Sequence, residues 1–292
     1  MKKNRYIAFA IIAAALYAIS TPVSKILLNG LSPIYLASLL YLGAGIGMIF
    51  VGYIRAKLKS SQNKKFTKSQ LPSIIGMIAL DIIAPIMLMI GLKTSLPENV
   101  SLLNNFEIVA TALFAYFIFK EQIPKRLRFA IFFVVIASLL LSVNDIRAFT
   151  FSLGSIFVLL ATIAWGLENN LTRKLSNNDP LMVVVIKGIF SGVGSLIIAF
   201  FMHQVTFDFV LVTCALTLGF VSYGLSIFFY VTAQRELGAA KTSTYYAVAP
   251  FLGVILAFII FQEIPNLLFF IALFLMAIGA YLASTERTKK SL

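Results

Sequence analysis

Residues 102–142 read LLNNFEIVATALFAYFIFKEQIPKRLRFAIFFVVIASLLLS, and residues 244–284 read TYYAVAPFLGVILAFIIFQEIPNLLFFIALFLMAIGAYLAS. Each copy is an apolar helix with a few polar or proline positions near its middle. Each closes on Phe-x-Glu, Phe119 and Glu121 in the first and Phe261 and Glu263 in the second. A proline follows (Pro124, Pro265), then a second apolar run. In ungapped register Ala130, Phe132, Ile136, Leu140 and Ser142 recur as Ala272, Phe274, Ile278, Leu282 and Ser284. The shared order of features predicts a chain whose two halves are copies of one unit.

The composition places that unit in lipid. The 292 residues are 60% hydrophobic and only 12% charged, more apolar surface than a soluble chain of this size can hide. The single cysteine, Cys214, lies in an apolar run, so no intramolecular disulfide or CxxC motif exists. His203, the one histidine, lies just past an apolar run and reads as interfacial. The formal charge of +13 could indicate nucleic acid, but the bases lie between apolar spans, as positive loops that hold topology do. No nucleic-acid partner is expected. The N-terminal MKKNR followed by apolar residues resembles a signal peptide, but the apolar region is too long and is read as retained.

Ten apolar spans are expected, at 5–28, 33–56, 71–93, 98–119, 126–144, 152–173, 180–202, 207–235, 239–261 and 265–284. Apart from the longer 207–235, each is of the length, about 18–25 residues, that crosses about 30 Å of hydrocarbon. With the N-terminus in the cytoplasm, all but four of the 24 Lys and Arg residues fall on the cytoplasmic side; the exceptions are Lys25, Lys93, Arg147 and Lys187. Both termini are therefore expected in the cytoplasm of a bacterial cell, in a multi-pass protein of the cytoplasmic membrane. Five spans per half make the second half enter from the opposite side. The expected fold class is an all-α membrane protein of two inverted five-helix repeats, 1–148 and 149–292.

The first spans of the halves also align, Tyr17-Ala-Ile-Ser-Thr-Pro-Val-Ser-Lys25 beside Trp165-Gly-Leu-Glu-Asn-Asn-Leu-Thr-Arg173. Gly43, Gly45 and Gly47 in the second span, and Gly188, Gly192 and Gly194 in the seventh, read as close helix packing. These residues resemble the drug/metabolite transporter superfamily, EamA-type branch. The resemblance rests on Trp165-Gly166 and on Pro250 ahead of the closing Glu263. The first half departs, with Tyr17-Ala18 for Trp-Gly and Ile108 where Pro250 stands, and both closing glutamates follow Lys or Gln in place of Gly. The resemblance implies ten helices in two inverted repeats and secondary transport of small organic molecules; relatives export amino acids and metabolites or import cations such as choline.

Ionisable groups deep in a span cost about 2.5–3.5 kcal/mol each on insertion scales, so each needs a reason. Asp81 falls at the centre of the third span and Glu107 near the centre of the fourth, with Asn104 and Thr111 one turn either side. Glu168 lies one turn beyond Trp165 in the sixth span, and Lys187 in the seventh. The bland reading is a salt bridge between Lys187 and one acid, but three acids face one base, and Lys25 sits near a span end where it can snorkel. The leftover acid is either protonated, met by a cation in the cavity, or alternates between the two, which is the chemistry of proton-coupled transport. Tyr17, Phe106, Trp165 and Tyr246 fall near mid-membrane, where rings beside carboxylates suit an ammonium group or simply pack.

The expected substrate-binding set is thus Tyr17, Asp81, Asn104, Phe106, Glu107, Trp165, Glu168, Lys187 and Tyr246, with Asp81, Glu107 and Glu168 as proton-coupling residues. Glu121 and Glu263, at span ends, read as caps or loop anchors. No cofactor or metal is expected, and the chain is expected to be a monomer or homodimer. No Walker loop, HExxH or Ser-His-Asp set is present. An intramembrane aspartyl protease would need two facing Asp residues, and Asp81 is the only one in mid-span. The leading expectation is an exporter of an amino acid or related amine-bearing metabolite working by alternating access; proton-coupled import of an organic cation such as choline is the second.

Overall fold

The computed structural model describes residues 2–58, 66–118, 120, 123–145, 150–175, 178–237, 242, 245–263 and 265–284. Among the described residues, apart from two short strands, the regular structure is helical. In the first half α1 (Lys2–Ala18), α2 (Ser20–Leu27), α3 (Pro33–Leu58), α4 (Leu71–Thr94), α5 (Pro97–Leu103), α6 (Phe106–Phe117) and α7 (Lys125–Ser142) follow one another. In the second come α8 (Leu153–Leu175), α9 (Pro180–Ile186), α10 (Gly192–Phe201), α11 (Phe209–Gly219), α12 (Ser226–Leu237), α13 (Ala249–Phe261) and α14 (Leu267–Ser284). Among the described residues six helical stretches are long and apolar enough to cross a membrane, and 249–261 and 267–283 are shorter apolar helices. Ile49, Phe50, Phe132, Phe200, Ile259 and Phe274 point outward, the reverse of a water-soluble surface.

The prolines explain where rods begin and bend. Pro33 and Pro180 each take the first turn of their helix, where a missing N–H costs nothing. Pro22 removes the donor that would bond the Ala18 carbonyl, and its ring crowds that carbonyl. The first rod accordingly changes from α1 to α2 at Ile19. Pro250 does the same to the Tyr246 carbonyl, just before α13. The fourth span is interrupted without a proline: Asn105 donates its side-chain amide to the Leu102 carbonyl and its backbone N–H to the same oxygen, which ends α5. Two rods carry π-helical turns, Lys187–Ser191 between α9 and α10 and Phe220–Leu225 between α11 and α12.

The all-α class holds, with one short departure at the connection between halves. Val143–Asp145 and Thr150–Phe151 pair as a two-stranded antiparallel ladder. The expected span 126–144 therefore ends at Ser142, whose hydroxyl bonds the Ser138 carbonyl while its own carbonyl accepts from Ser152 N–H. Of the ninth expected span, residues 239–241, 243 and 244 lie outside the described residues; Tyr245 and Tyr246 are helical, and after a turn at 247–248 the rod continues as α13.

Helix packing runs between the halves. α4 lies along α8, α1 along α12, α7 along α14, and α3 against α9, α10 and α11. The small residues of the second and seventh spans set this approach: a Cβ on Gly43 would meet the Leu216 carbonyl carbon at 2.7 Å, and one on Gly45 the Ile189 nitrogen at 2.6 Å. Gly166 does the same for α8 on α6, where a Cβ would come within 2.8 Å of the Ala110 carbonyl carbon and the Thr111 nitrogen. Arg55 at the end of α3 grips Asp179, both oxygens at 3.1 Å, while Asp179 also caps α9 by accepting from Leu181 N–H.

Lys120 and Gln262 both adopt positive φ, 58° and 54°. They hold the same place in the two copies of Phe-x-Glu, 142 residues apart. A left-handed residue ends a helix most cheaply as glycine, and here Lys and Gln take it. Glu263, just beyond, is exposed; Phe119 and Glu121 lie outside the described residues.

Candidate functional site

The deep charges meet at the junction of α4, α8 and the π turn of the seventh span. Lys187 Nζ lies 3.0 Å from Glu168 Oε1 and 3.3 Å from Asp81 Oδ2. Asp81 is fully buried and Glu168 is 1% exposed. Lys187 opens the π turn Lys187–Ser191, whose Ser191 hydroxyl donates to the Ile78 carbonyl of α4 at 3.3 Å. The widened turn thus fixes the lysine-bearing rod against the helix that carries Asp81. Glu168 also accepts from the Thr172 hydroxyl one turn on.

Tyr41 of α3 extends the cluster. Its hydroxyl donates to Asp81 Oδ1 at 2.9 Å and accepts from Trp165 Nε1 at 3.4 Å. Trp165, Tyr41, Asp81, Lys187 and Glu168 therefore form one connected polar network. Glu107 stands beside it: Asn169, the neighbour of Glu168, donates its amide to Glu107 Oε1 and also reaches the Thr111 hydroxyl at 3.5 Å. Asn170 bonds the Thr111 carbonyl at 3.0 Å and the Gly166 carbonyl at 2.9 Å, tying α8 to α6.

From Tyr41 a row of rings leads away. Tyr223 lies 5.5 Å from Tyr41, Tyr17 5.8 Å from Tyr223, Tyr246 6.0 Å from Tyr17, and Tyr230 4.8 Å from Tyr246, centroid to centroid. Tyr223 sits in the other π turn and its hydroxyl accepts from Ser20 at 3.1 Å. Beyond Tyr17 a cavity of about 10 Å³ is lined by Tyr17, Ala18, Thr21, Ser101, Asn104 and residues 249, 250 and 253.

The expected residues thus fall into two neighbouring groups. Asp81, Trp165, Glu168 and Lys187 share the charged network, with Glu107 attached through Asn169. Tyr17 and Tyr246 belong to the ring row, and Asn104 to the small cavity with Tyr17. Asn104 stands at the turn between α5 and α6, where its carbonyl accepts from Glu107 N–H at 3.2 Å. Phe106 is half-buried and packs on the apolar core. Lys25 does not snorkel: Nζ is drawn to the carbonyls of Leu92, Lys93 and Ser95, at 2.8, 3.1 and 2.7 Å, and closes the C-terminal end of α4.

Tyr41, Tyr223, Asn169 and Glu98 were not anticipated. Tyr41 and Tyr223 lie in apolar runs, where a tyrosine reads as packing; the signal was a hydroxyl deep in a span, which has to find a partner. Glu98, 1% exposed, follows Pro97 at a span edge and passes for an interfacial residue. Among the described residues no group of three or more His, Cys, Asp or Glu is arranged to hold a metal.

The cluster has a simple electrostatic property. Two carboxylates share one ammonium, and a third carboxylate is held by an amide. Such a site has room for further positive charge, brought by a cationic group or a proton.

Comparison with known proteins agrees with a transport role. The profile of the EamA-like transporter family matches residues 4–143 and 152–285. An uncharacterized transporter of Methanothermobacter thermautotrophicus is 25% identical over 270 residues, 87% of this chain and 78% of its own. The uncharacterized transporter YyaM of Bacillus subtilis is 23% identical over 226 residues, covering 74% and 73%. A solved crystal structure superposes with a TM-score of 0.70 at 17% identity over 99% of both chains, a likeness of fold. With the family matched across both halves, the chain belongs to the EamA-like transporters of the drug/metabolite transporter superfamily, and is a multi-pass membrane protein that carries small molecules and not an enzyme.

Proposed function

We propose that the chain is a secondary-active carrier of small amine-bearing metabolites, an exporter of an amino acid or a related compound, that works by alternating access and couples to protons. In this reading ten helices form two inverted five-helix repeats, 1–148 and 149–292, in a bacterial cytoplasmic membrane with both termini inside. Helix packing supports the two-repeat arrangement. Under exchange of halves, α1 on α12 corresponds to α8 on α4, and α13 on α1 to α6 on α8; the pairs α3 with α10 and α7 with α14 map onto themselves. The shared left-handed residues Lys120 and Gln262 support it too.

The observation that carries the mechanism is the shared ammonium. Lys187 serves both Asp81 and Glu168, so a substrate ammonium or a proton entering the site is the second positive charge for two acids. A proton bound when the site is empty of substrate leaves when the ammonium arrives, and the two flows are coupled. Thermal-shift screening of the purified protein against amines, amino acids and nucleosides tests the substrate class. Stabilisation by amines and amino acids, reduced in Glu107→Gln, supports the reading; stabilisation by nucleosides alone overturns it.

A second reading, proton-coupled import of an organic cation such as choline, is favoured by the ring row. Tyr17, Tyr41, Tyr223 and Tyr246 run beside the carboxylates and offer cation–π faces. In the same screen this reading expects quaternary amines to outrank amino acids.

A further inference from the structure

We infer that the small cavity between the first, fourth and ninth rods is a binding site for one dehydrated sodium ion. The cavity lies where three rods depart from regular helix. α1 gives way to α2 at Ile19, α5 to α6 at Asn104–Asn105, and a turn at 247–248 precedes α13. Such interruptions release backbone carbonyls from helical bonding, and at membrane depth they are tolerated where they line a cavity. Pro22 leaves the Ala18 carbonyl without its helical donor.

Two side-chain oxygens in the cavity wall also lack partners. Ser101 Oγ and Asn104 Oδ1 are buried, the residues 2% and 7% exposed, and neither finds a hydrogen bond. A buried polar oxygen left alone costs about 1–3 kcal/mol, so two together point to an occupant. Gly253 provides the room. The place its Cβ would occupy lies 2.9 Å from Ser101 Oγ and 3.5 Å from the Ala18 carbonyl oxygen. Thr21 lines the same wall.

The chemistry selects a monovalent ion. The wall offers neutral oxygens and no carboxylate, whereas Ca²⁺ and Mg²⁺ recruit carboxylates. At about 10 Å³ the cavity is at the lower bound of what one water molecule needs, which favours dehydrated sodium, smaller than water, over potassium, which is close to water in size. Charge separates an ion from a water. Glu107 begins one turn after Asn104, bonded through its N–H to the Asn104 carbonyl at 3.2 Å, and the acids of the neighbouring network outnumber Lys187. A cation here offsets the leftover negative charge.

The role of the ion in coupling rests on the carrier reading, but its binding does not. The test is thermal unfolding of the purified full chain in NaCl against KCl at equal ionic strength. Sodium should raise the midpoint saturably, by about 5 °C at concentrations well above its dissociation constant, with potassium inert. Gly253→Ala fills the space, and Ser101→Ala removes a ligand without adding volume; both should abolish the sodium response. Should Gly253→Ala not fold, Ser101→Ala and Asn104→Ala decide. Equal responses to both salts, or none to either, mean that the cavity is no sodium site, and a sodium response surviving in the variants means that it binds elsewhere; each overturns the proposal. Substrate counterflow in sodium-free vesicles is read separately: sodium binding without any transport defeats only the carrier reading, and transport without a sodium response defeats only this site.

Discussion

Replacing Lys187 with Met isolates the charged network. Methionine keeps most of the volume and removes the ammonium, so Asp81 loses a partner at 3.3 Å and Glu168 one at 3.0 Å. Asp81 keeps the Tyr41 hydroxyl and Glu168 the Thr172 hydroxyl, which hydrogen-bond but carry no charge. Removing one partner of a buried ion pair costs about 3–5 kcal/mol, because the other charge stays buried without compensation. At about 2–4 °C per kcal/mol for larger domains, the midpoint should fall by about 10 °C. Adding Asp81→Asn and Glu168→Gln removes the stranded charges and should recover most of the loss, since a neutral replacement of the whole cluster is close to neutral in stability. Tryptophan fluorescence reads the transition locally, since Trp165 is the chain's one tryptophan and bonds Tyr41 within the network. A Lys187→Met protein that melts within about 2 °C of wild type, or a triple variant no more stable than the single one, would refute the reasoning.

Other consequences follow from the same geometry. Gln262→Gly should raise stability by about 1 kcal/mol, because glycine relieves the left-handed strain at φ 54°; an unchanged midpoint in thermal unfolding counts against it. Gly166→Val should prevent α8 from seating on α6, where even a Cβ meets the Ala110 and Thr111 backbone, and should sharply lower the yield of folded protein; a wild-type yield and midpoint would show that the approach is not needed. Reporters fused after Lys65 and at the C-terminus should both report cytoplasm and one at Asn266 the outside; opposite signals at the first two sites would sink the inverted ten-span topology.

The long apolar rods were legible because lipid demands about 20 apolar residues at a time, and Pro33 and Pro180 mark where rods begin. Their interruptions were harder to see. Asn105 ends α5 through its side-chain bond to Leu102, and nothing in an apolar run announces whether an asparagine will bond its own backbone or another helix. The π turns at Lys187 and Phe220 depend on tertiary contacts, such as Ser191 with Ile78, that no local pattern contains. In the candidate site, charge was visible because a deep Asp, Glu or Lys is conspicuous. The neutral connectors were not: Tyr41 and Tyr223 look apolar in a window of hydropathy, and Asn169 is one of two adjacent amides, of which only the fold decides which meets Glu107. Asn104 is legible as a polar residue deep in a span, but its place in the wall of the small cavity depends on the turn between α5 and α6.

The most direct test of the proposed mechanism is transport by the protein in sealed proteoliposomes, with sodium held equal on both sides and an amine identified by the thermal screen. The account predicts that a pH gradient drives uphill accumulation by the wild type. It predicts that Glu107→Gln loses most of that accumulation while retaining much of its substrate counterflow, because exchange need not turn over the proton. Transport that ignores pH in the wild type and in Asp81→Asn, Glu107→Gln and Glu168→Gln alike would contradict it, and would leave the three carboxylates as structural groups.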